Sequence, residues 1–400
     1  MNSWRSVKLG DVAEEITVGH VGSMASEYME GGIPFLRSQN IRPHMIELDD
    51  VKYISDDFHL KLKKSRLRPG DVVTVRTGAP GQTAVIPESL HQANCADLVI
   101  TRPGAELDGR WVSYYLNWVT DTDIAGRLVG AVQQHFNVKS ARELELLMPP
   151  LGEQRAIAEV LGALDDKIAT NNRICNVSRA LLAAMFERME VDVDARESES
   201  IQLDEILEIN PRERLPGSGS SDVVYLEMRN LPDYAMTVSS WGYRSARGGA
   251  RFRNGDTLLA RITPCLENGK VGYVDFLEDD SVGVGSTEFI VLRSRGSMPS
   301  VFPYLLCVSP RFRDYAIRHM VGTTGRQRLS ASDVGVYNVR RPDPARLAEF
   351  GEVSAPLMDR VKAAVDETRQ LAQTRDELLP LLMSGKLRVK DAEQIVEETA

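Results

Sequence analysis

The sequence predicts an α+β chain built from two tandem mixed α/β domains, each followed by a long helix. Three observations lead to this prediction. The 400 residues exceed the size of one ordinary hydrophobic core. Short β-branched runs bounded by Gly and Pro alternate with long stretches of heptad-like periodicity. The same order of segments also occurs twice, and an internal repeat of this kind determines the architecture.

The repeat sets the domain boundaries. Residues 35–41 (FLRSQNI) line up with 225–231 (YLEMRNL), and residues 67–73 (LRPGDVV) line up with 252–258 (FRNGDTL). Each Gly-Asp pair predicts a turn that leads into a strand. We predict a first mixed domain over 1–150, a helix over 151–190, a linker over 191–200, a second mixed domain over 201–342, a helix over 343–388 and a C-terminal tail over 389–400.

The two predicted helices have apolar seams. The seam of the first helix recurs every seven residues, at Leu161, Ile168, Cys175, Leu182 and Met189. An ordinary amphipathic core helix explains one such pattern, but two long helices, one closing each half of a repeat, favour a packed helix pair. Asn171 and Ser178 occupy the other seam as register-setting polar residues. Pro356 and Pro380 are expected to kink or break the second helix.

Composition narrows the class of protein. No apolar stretch approaches the length of a membrane span, and the N-terminus has no apolar signal core, so we expect a cytoplasmic protein without membrane contact. Four widely spaced cysteines favour free buried thiols. The net charge of −9 by itself argues against a nucleic-acid protein. Residues 201–342, however, hold 18 basic and 16 acidic residues, which permits a DNA role.

Catalytic motifs are missing from the sequence. It contains no GxxxxGK, no GxGxxG after a strand and no HExxH. The Asn/Asp-Pro-Pro-aromatic tetrad of amino-methyltransferases is also missing, and residues 148–151 (MPPL) come nearest to it. The six histidines have no metal-ligand spacing, and the acidic pair Asp165-Asp166 is expected on the outer face of a helix. These observations favour a binding or scaffold protein without a metal or cofactor of its own.

Polar clusters at matching repeat positions are candidate DNA contacts. Lys61, Lys63 and Lys64 form a basic run that fits phosphate binding, although a solvated face explains it about as well. Arg76 and Arg261 each follow the strand after Gly-Asp. An arginine fork there fits guanine O6 and N7, but a phosphate or a structural carboxylate explains it equally.

Two polar loops differ between the repeats. Gln133, Gln134, His135 and Asn137 suit contacts to adenine and to the backbone, unless this loop merely caps the next element. Asn40 and Asn230 are either further contacts or structural turn residues. The predicted DNA contacts are Arg37, Ser38, Gln39, Lys61, Lys63, Lys64, Arg76, Thr77, Gln82, Gln133, Gln134, His135, Asn137, Arg229, Arg251, Arg261, Thr263, Lys270, Thr323, Thr324, Arg326, Gln327 and Arg328.

Two further stretches carry a family resemblance. Residues 149–158 (PPLGEQRAIA) begin the first helix, and residues 378–387 (LLPLLMSGKL) lie near the C-terminus. With the repeated domain order, they make nearly the whole chain resemble the specificity subunit of type I restriction-modification enzymes. Residues 341–346 (RPDPAR), which begin the second helix, lack the Glu-Gln pair. This departure leaves open whether the second helix docks its partner as the first does.

The resemblance implies a non-catalytic DNA reader. Its two target-recognition domains would each read one part of a split site, and its helices would pair antiparallel as a coiled coil that carries the partners. Glu153, Gln154 and Arg155 are then candidate partner contacts. The implied partners are double-stranded DNA, two methyltransferase subunits and restriction endonuclease/translocase subunits. S-adenosylmethionine, ATP and Mg would be bound by those subunits and not by this chain.

Because the polar loops differ between the repeats, we expect an asymmetric bipartite site. The alternative is a coiled-coil assembly scaffold without DNA-reading activity. A fused methyltransferase is disfavoured by the missing tetrad.

Overall fold

A computed structural model describes residues 4–120, 136–214, 222–233, 235–245, 248–323 and 325–399. The chain divides into two compact units. The first comprises residues 1–166 with 371–400, and the second comprises residues 167–370. Both long helices therefore contribute residues to each unit. This division follows spatial contacts and not the sequence boundaries that we predicted.

The described residues of the first unit begin with twelve short strands and four helices. The strands are β1 Arg5–Lys8, β2 Ala13–Val18, β3 Ile33–Leu36, β4 Ile41–Arg42, β5 Met45–Ile46, β6 Lys52–Ile54, β7 Arg66–Leu67, β8 Val72–Val75, β9 Thr83–Val85, β10 Ala93–Cys95, β11 Leu98–Pro103 and β12 Glu145–Met148. The helices are α1 Leu9–Val12, α2 Asp56–Lys61, α3 Gly109–Thr120 and α4 Val138–Glu143. Helix α5 follows over Leu151–Arg188.

The second unit repeats this plan, with ten strands over the part of it that the structure describes. They are β13 Ser200–Gln202, β14 Leu207–Ile209, β15 Val223–Leu226, β16 Gly242–Arg244, β17 Ala250–Phe252, β18 Thr257–Ala260, β19 Val271–Tyr273, β20 Gly283–Gly285, β21 Phe289–Ser294 and β22 Asn338–Arg340. The helices are α6 Leu203–Ile206, α7 Phe302–Val308, α8 Pro310–Arg318, α9 Ala331–Gly335, α10 Pro344–Met383 and α11 Val389–Thr399. Helix α11 belongs to the first unit. Short 3-10 turns lie at Ser38–Asn40, Lys63–Ser65, Glu197–Glu199 and Met228–Asn230.

The sheets of the two units have the same topology. In the first unit the strand orders are β6-β3-β10-β7, β2-β11-β8-β9 and β1-β12, with β4-β5 in addition. In the second they are β16-β15-β20-β17, β14-β21-β18-β19 and β13-β22. The central pair is parallel in one four-stranded sheet of each unit, β3 with β10 and β15 with β20. Identical order and direction confirm the tandem repeat that the sequence predicts.

Each unit buries a hydrophobic core between its two four-stranded sheets. In the first unit, Leu36 of β3 and Cys95 of β10 pack with Val73 of β8. In the second, Leu226 of β15 packs with Leu258 of β18 and Phe289 at the start of β21. The β-branched and aromatic residues of these strands favour such doubly covered positions. All four cysteines are free, as predicted from their spacing.

The two long helices pack antiparallel. Within the second unit, Asn171 of α5 donates a hydrogen bond of 2.7 Å to Glu367 of α10, and Cys175 lies 4.0 Å from the carbonyl oxygen of Val361. The partner numbers fall along α10 as they rise along α5, which gives the antiparallel direction. Asn171 is 3% exposed, so it occupies a polar position in the seam, as the heptad pattern predicts.

Three expectations about the helices need correction. Of the kink or break expected at Pro356 and Pro380, the break is wrong, because α10 runs continuously from Pro344 to Met383. A proline removes only one backbone hydrogen bond, and the buried Leu378 and Leu382 anchor the turns around Pro380. Asp165 does not point outward, since it accepts hydrogen bonds from Tyr114 at 2.5 Å and from Arg375 at 2.8 Å. Residues 389–399, expected as a tail, form a helix.

Candidate nucleic-acid interface

A buried aspartate in each unit fixes the turn before the arginine-bearing strand. Gly70 and Gly255 have φ of 86° and 89°, a conformation that glycine adopts without strain. The carboxylates of Asp71 and Asp256 then accept hydrogen bonds from the main-chain N–H three residues earlier, at 3.1 and 2.8 Å. The turn and strand are thereby locked together, which sets the position of the residue that follows the strand.

In the second unit that residue is Arg261, and it lies beside a polar loop. The main chain of Arg261 and Thr263 pairs with residues 327–329: Thr263 N–H donates to the Gln327 oxygen at 3.1 Å, and Leu329 N–H donates to the Arg261 oxygen at 2.8 Å. Gln327 N–H also donates to the Thr263 hydroxyl at 3.2 Å. The structure thus brings together four of the predicted contacts, namely Arg261, Thr263, Gln327 and Arg328.

A carboxylate that we did not predict lies within this cluster. Arg328 donates to Glu288 through Nε at 2.9 and 3.0 Å and through Nη2 at 2.8 Å. These hydrogen bonds hold the pKa of the Glu288 carboxyl below its usual value. The Nε atom of Arg261 is buried and has no hydrogen-bond partner within the described part of the chain. A buried donor without an acceptor costs free energy and is tolerated at sites that receive a ligand.

The corresponding arginine of the first unit is also paired. Arg76 follows β8 and donates to Asp97, the residue immediately before β11, just as Glu288 immediately precedes β21. Phe136 N–H lies 3.4 Å from the Arg76 oxygen, and Asn137 caps α4 by accepting from Ser140 N–H at 3.0 Å. Thr77 is exposed and Gln82 half-buried beyond Arg76. The predicted residues Gln133, Gln134, His135 and, in the second unit, Thr324 lie outside the described residues.

Two predicted loops form their own internal contacts. Arg37 and Gln39 both donate to Asp50, at 3.1 and 2.6 Å, beside the half-buried Ser38. At the matching position of the second unit, Arg229 lies 2.8 Å from Glu227. The side chains of Asn40 and Asn230 accept from main-chain N–H groups at 3.0 and 2.8 Å. These contacts support the interpretation of Asn40 and Asn230 as structural turn residues and not as DNA contacts.

Some of the remaining predicted cations have hydrogen-bond partners within the protein, whereas others have no carboxylate nearby. Arg251 donates to the Glu213 main chain at 2.5 Å, and Lys270 donates to the Leu231 oxygen at 2.7 Å. Four exposed cations, in contrast, have no carboxylate within 4.0 Å among the described residues. They are Lys61, Lys63, Lys64 and Arg326. Thr323 is also exposed on the loop that carries Arg326.

Comparison with known proteins shows similarity to one family. The family model for the type I restriction modification DNA specificity domain matches residues 1–177. The type I restriction enzyme MjaVIII specificity subunit of Methanocaldococcus jannaschii is 21% identical over 97% of this chain and 94% of its own length. The EcoEI specificity subunit of Escherichia coli is 26% identical over 50% of this chain and 34% of its own length.

Residues 1–177 therefore match the DNA specificity domain family, and nearly the whole chain is similar to type I restriction enzyme specificity subunits. A crystal structure of a type I restriction-modification system S subunit from M. genitalium has the same fold, with a TM-score of 0.59, 15% identity and coverage of 95% of this chain and 96% of that one.

The start of α5 is held by Gln154, which is fully buried. Its side chain accepts from Asp108 N–H and donates to the oxygens of Glu106 and Pro149, all at 2.9 Å. We predicted Gln154 as a partner contact, but these bonds occupy its amide inside the first unit. Glu153 accepts from Trp4 at 3.0 Å, whereas Arg155 is 61% exposed at 4.0 Å from Asp108.

Sequence reasoning missed the carboxylates Asp50, Asp97 and Glu288, which pair with the predicted Arg37, Arg76 and Arg328. A sequence signal exists for two of them, because Asp97 and Glu288 each immediately precede the strand that pairs with the arginine-bearing strand. Over the described residues there is no group of three or more His, Cys, Asp or Glu side chains arranged to hold a metal ion. Among the described helices of this chain, none is long and apolar enough to cross a membrane.

Proposed function

We propose that this specificity subunit reads a bipartite, asymmetric DNA sequence and positions methyltransferase and endonuclease subunits on it in the cytoplasm. One observation carries the proposal. The same sheet topology occurs twice, while the polar residues at corresponding positions differ, as Arg76 with Asp97 differs from Arg261 with Glu288 and Arg328. A repeated frame with divergent polar residues suits two readers of different base sequences.

The chemistry of the complex is assigned to the partners. S-adenosylmethionine would be bound by two methyltransferase subunits, and ATP and Mg by the endonuclease/translocase subunits. The exposed Arg155 and its neighbour Glu153, at the start of α5, are the candidate contacts to a partner. The specificity subunit would contribute the position of the complex on double-stranded DNA, which requires base contacts for sequence and phosphate contacts for register.

The test of the function is a domain exchange. Residues 1–150 are replaced by the corresponding domain of another specificity subunit, and the chain is co-expressed with its methyltransferase subunits. Methylome sequencing is expected to show a new sequence in one half of the methylated site and an unchanged second half. A change in both halves would contradict independent reading, and methylation without sequence preference would favour the coiled-coil scaffold.

Phosphate contacts are proposed for Lys61, Lys63 and Lys64. Replacing all three by alanine is expected to weaken binding to every DNA sequence alike, because phosphate contacts carry no base information. The slope of log affinity against log salt should fall in magnitude by about 2–3, at roughly 0.9 per phosphate contact. The measurement is a fluorescence-anisotropy titration of the complex at four salt concentrations.

The matched control for this variant replaces Lys8, Lys386 and Lys390 by alanine. These lysines are also exposed in the first unit and have no carboxylate within 4.0 Å among the described residues. They are expected to leave the salt slope unchanged. Equal losses in both triple variants would mean that net charge, and not a phosphate-binding surface at residues 61–64, governs the affinity.

A further inference from the structure

Glu288 lies between two arginines of the second unit. Arg328 binds its carboxylate through two nitrogens, and Arg261 forms a main-chain hydrogen bond of 3.0 Å to the Glu288 oxygen and a charge interaction with its carboxylate. The Arg328 side chain is 42% exposed and that of Glu288 is 25% exposed. The cluster therefore has a net charge of +1 and is open to a ligand.

The hydrogen bonds use only one edge of the Arg328 guanidinium. Glu288 occupies the edge formed by Nε and Nη2. The opposite end, formed by Nη1 and the second N–H of Nη2, has no hydrogen-bond partner among the described residues. That end presents two parallel donors, the geometry with which arginine binds a pair of acceptors. Because the carboxylate fixes the first edge, the direction of the free end is fixed as well.

The charge of Glu288 distinguishes between two possible acceptors. A phosphate carries a full negative charge, and the carboxylate of Glu288 offsets most of the attraction that Arg328 alone would exert on it. The edge of a base pair is uncharged and meets no such repulsion. In the major groove, guanine presents O6 and N7 as an adjacent pair of acceptors. An arginine neutralised by a carboxylate along one edge therefore favours a base edge over the backbone.

The first unit provides an independent instance. Asp97 occupies the position of Glu288, immediately before the strand that pairs with the arginine-bearing strand. It binds a different arginine, Arg76, through Nη1. The carboxylate thus recurs at one position of the fold, while the arginine that it binds differs between the two domains. This is expected of a carboxylate that orients an arginine when the two domains read different bases.

We propose that Glu288 is a positioning residue that aims the free end of Arg328 at guanine O6 and N7 in the half-site read by the second unit. The proposal rests on the proposed DNA-reading function and extends it to one residue and one base. Arg261, whose Nε has no acceptor among the described residues, lies beside this contact. Asp97 is the corresponding positioning residue for Arg76.

The test uses the full chain in complex with its methyltransferase subunits and DNA that carries the site defined by methylome sequencing. Binding is measured for that site and for duplexes with each base pair changed in turn. We expect Arg328→Ala to lower discrimination at one G·C pair of the second half-site by about 10- to 100-fold. Glu288→Gln, which keeps the size but not the charge, should lower discrimination at the same pair by about 10-fold.

Arg328→Lys tests the planar fork of the proposed base contact. Lysine keeps the charge and can still reach guanine O6 and N7, but it lacks the planar fork, so we expect a loss of discrimination smaller than with alanine. Asp97→Asn is the corresponding control in the first unit and should change discrimination only in the first half-site. Glu278→Gln, an exposed carboxylate in the same unit, should change neither. Equal circular dichroism spectra and melting temperatures for Glu288→Gln and the parent chain show that the fold is retained.

Three results would overturn the inference. Weaker binding of Arg328→Ala to all DNA with unchanged discrimination would assign Arg328 to a phosphate. Tighter binding of Glu288→Gln to all DNA with unchanged discrimination would make Glu288 a repulsive group only. In both cases the sequence preference of the parent complex, and hence the proposed function, would stand. A parent complex without any sequence preference would overturn the proposed function together with this inference.

Discussion

Asp256→Ala is expected to lower the free energy of unfolding of the second unit by about 3 kcal/mol. The Asp256 side chain is 1% exposed and binds both Nε and Nη2 of Arg293, at 2.7 and 2.8 Å. Removing it leaves the Arg293 charge partly buried and the main-chain N–H of Arg253 without its acceptor. Arg293 keeps its 2.5 Å contact with Glu213, which limits the loss.

The repeat supplies a matched control for this variant. Asp71 is the corresponding residue of the first unit. Its Oδ1 lies 3.6 Å from Nε of Arg102, and its Oδ2 accepts a hydrogen bond of 3.1 Å from the main-chain N–H of Arg68. Asp71→Ala should therefore cost less, about 1–2 kcal/mol. Urea unfolding measures the total change in the free energy of unfolding, and hydrogen exchange shows in which unit the stability is lost. A larger loss for Asp71→Ala than for Asp256→Ala would refute the pairing as the cause.

Asp275→Asn is expected to act in the opposite direction and to stabilise the second unit above pH 7. Burial raises the pKa of the Asp275 carboxyl from 3.8 to about 6, and its Oδ2 has no hydrogen-bond partner among the described residues. Lys362 and Arg369 attract its charge and Asp366 repels it. Both cations are themselves bound to Asp366, at 2.8 and 3.4 Å, so they compensate the buried carboxylate only in part.

The sign of the pH dependence follows from the raised pKa. Between about pH 4 and 6 the folded chain holds the Asp275 proton that the unfolded chain has lost, so stability falls as pH rises through this window. A pKa raised by about 2 units corresponds to roughly 3 kcal/mol. Because asparagine does not ionise, the variant should exceed the parent chain by about 2–3 kcal/mol at pH 8 and match it at pH 4.

Urea unfolding of both chains at these two pH values measures the difference directly, since other carboxylates contribute equally to each. Glu278→Gln, an exposed carboxyl three residues away, serves as the control and should show no difference at either pH. A stability difference that is independent of pH would mean that Asp275 does not titrate in this window.

The architecture could be predicted because the same order of segments occurs twice in the sequence. Each Gly-Asp pair, such as Gly70-Asp71, forms a turn whose geometry depends on neighbouring residues alone, so the sequence predicts where the turn lies. Heptad spacing likewise depends on local periodicity, and it located α5 and α10. These features need no knowledge of which distant segments meet in the fold.

The parts that could not be predicted depend on distant contacts. A helical pattern places Asp165 on an outer face, but Tyr114 and Arg375 contact that face. The carboxylate of Glu288 meets Arg328 across 40 residues of sequence. Sequence reasoning identified the arginines as notable and named a carboxylate as one possible partner. Only the pairing of β18 with β21 shows which carboxylate lies opposite.

The buried amide of Gln154 bears on which domains can be joined to the start of α5. All three of its hydrogen bonds go to main-chain atoms, at Glu106, Asp108 and Pro149. Every residue provides the same carbonyl, and every residue except proline provides the same N–H. A foreign domain whose main chain follows the same path would therefore form these three hydrogen bonds whatever its side chains. The side-chain contact of Tyr114 with Asp165, in contrast, has to be matched by the new domain.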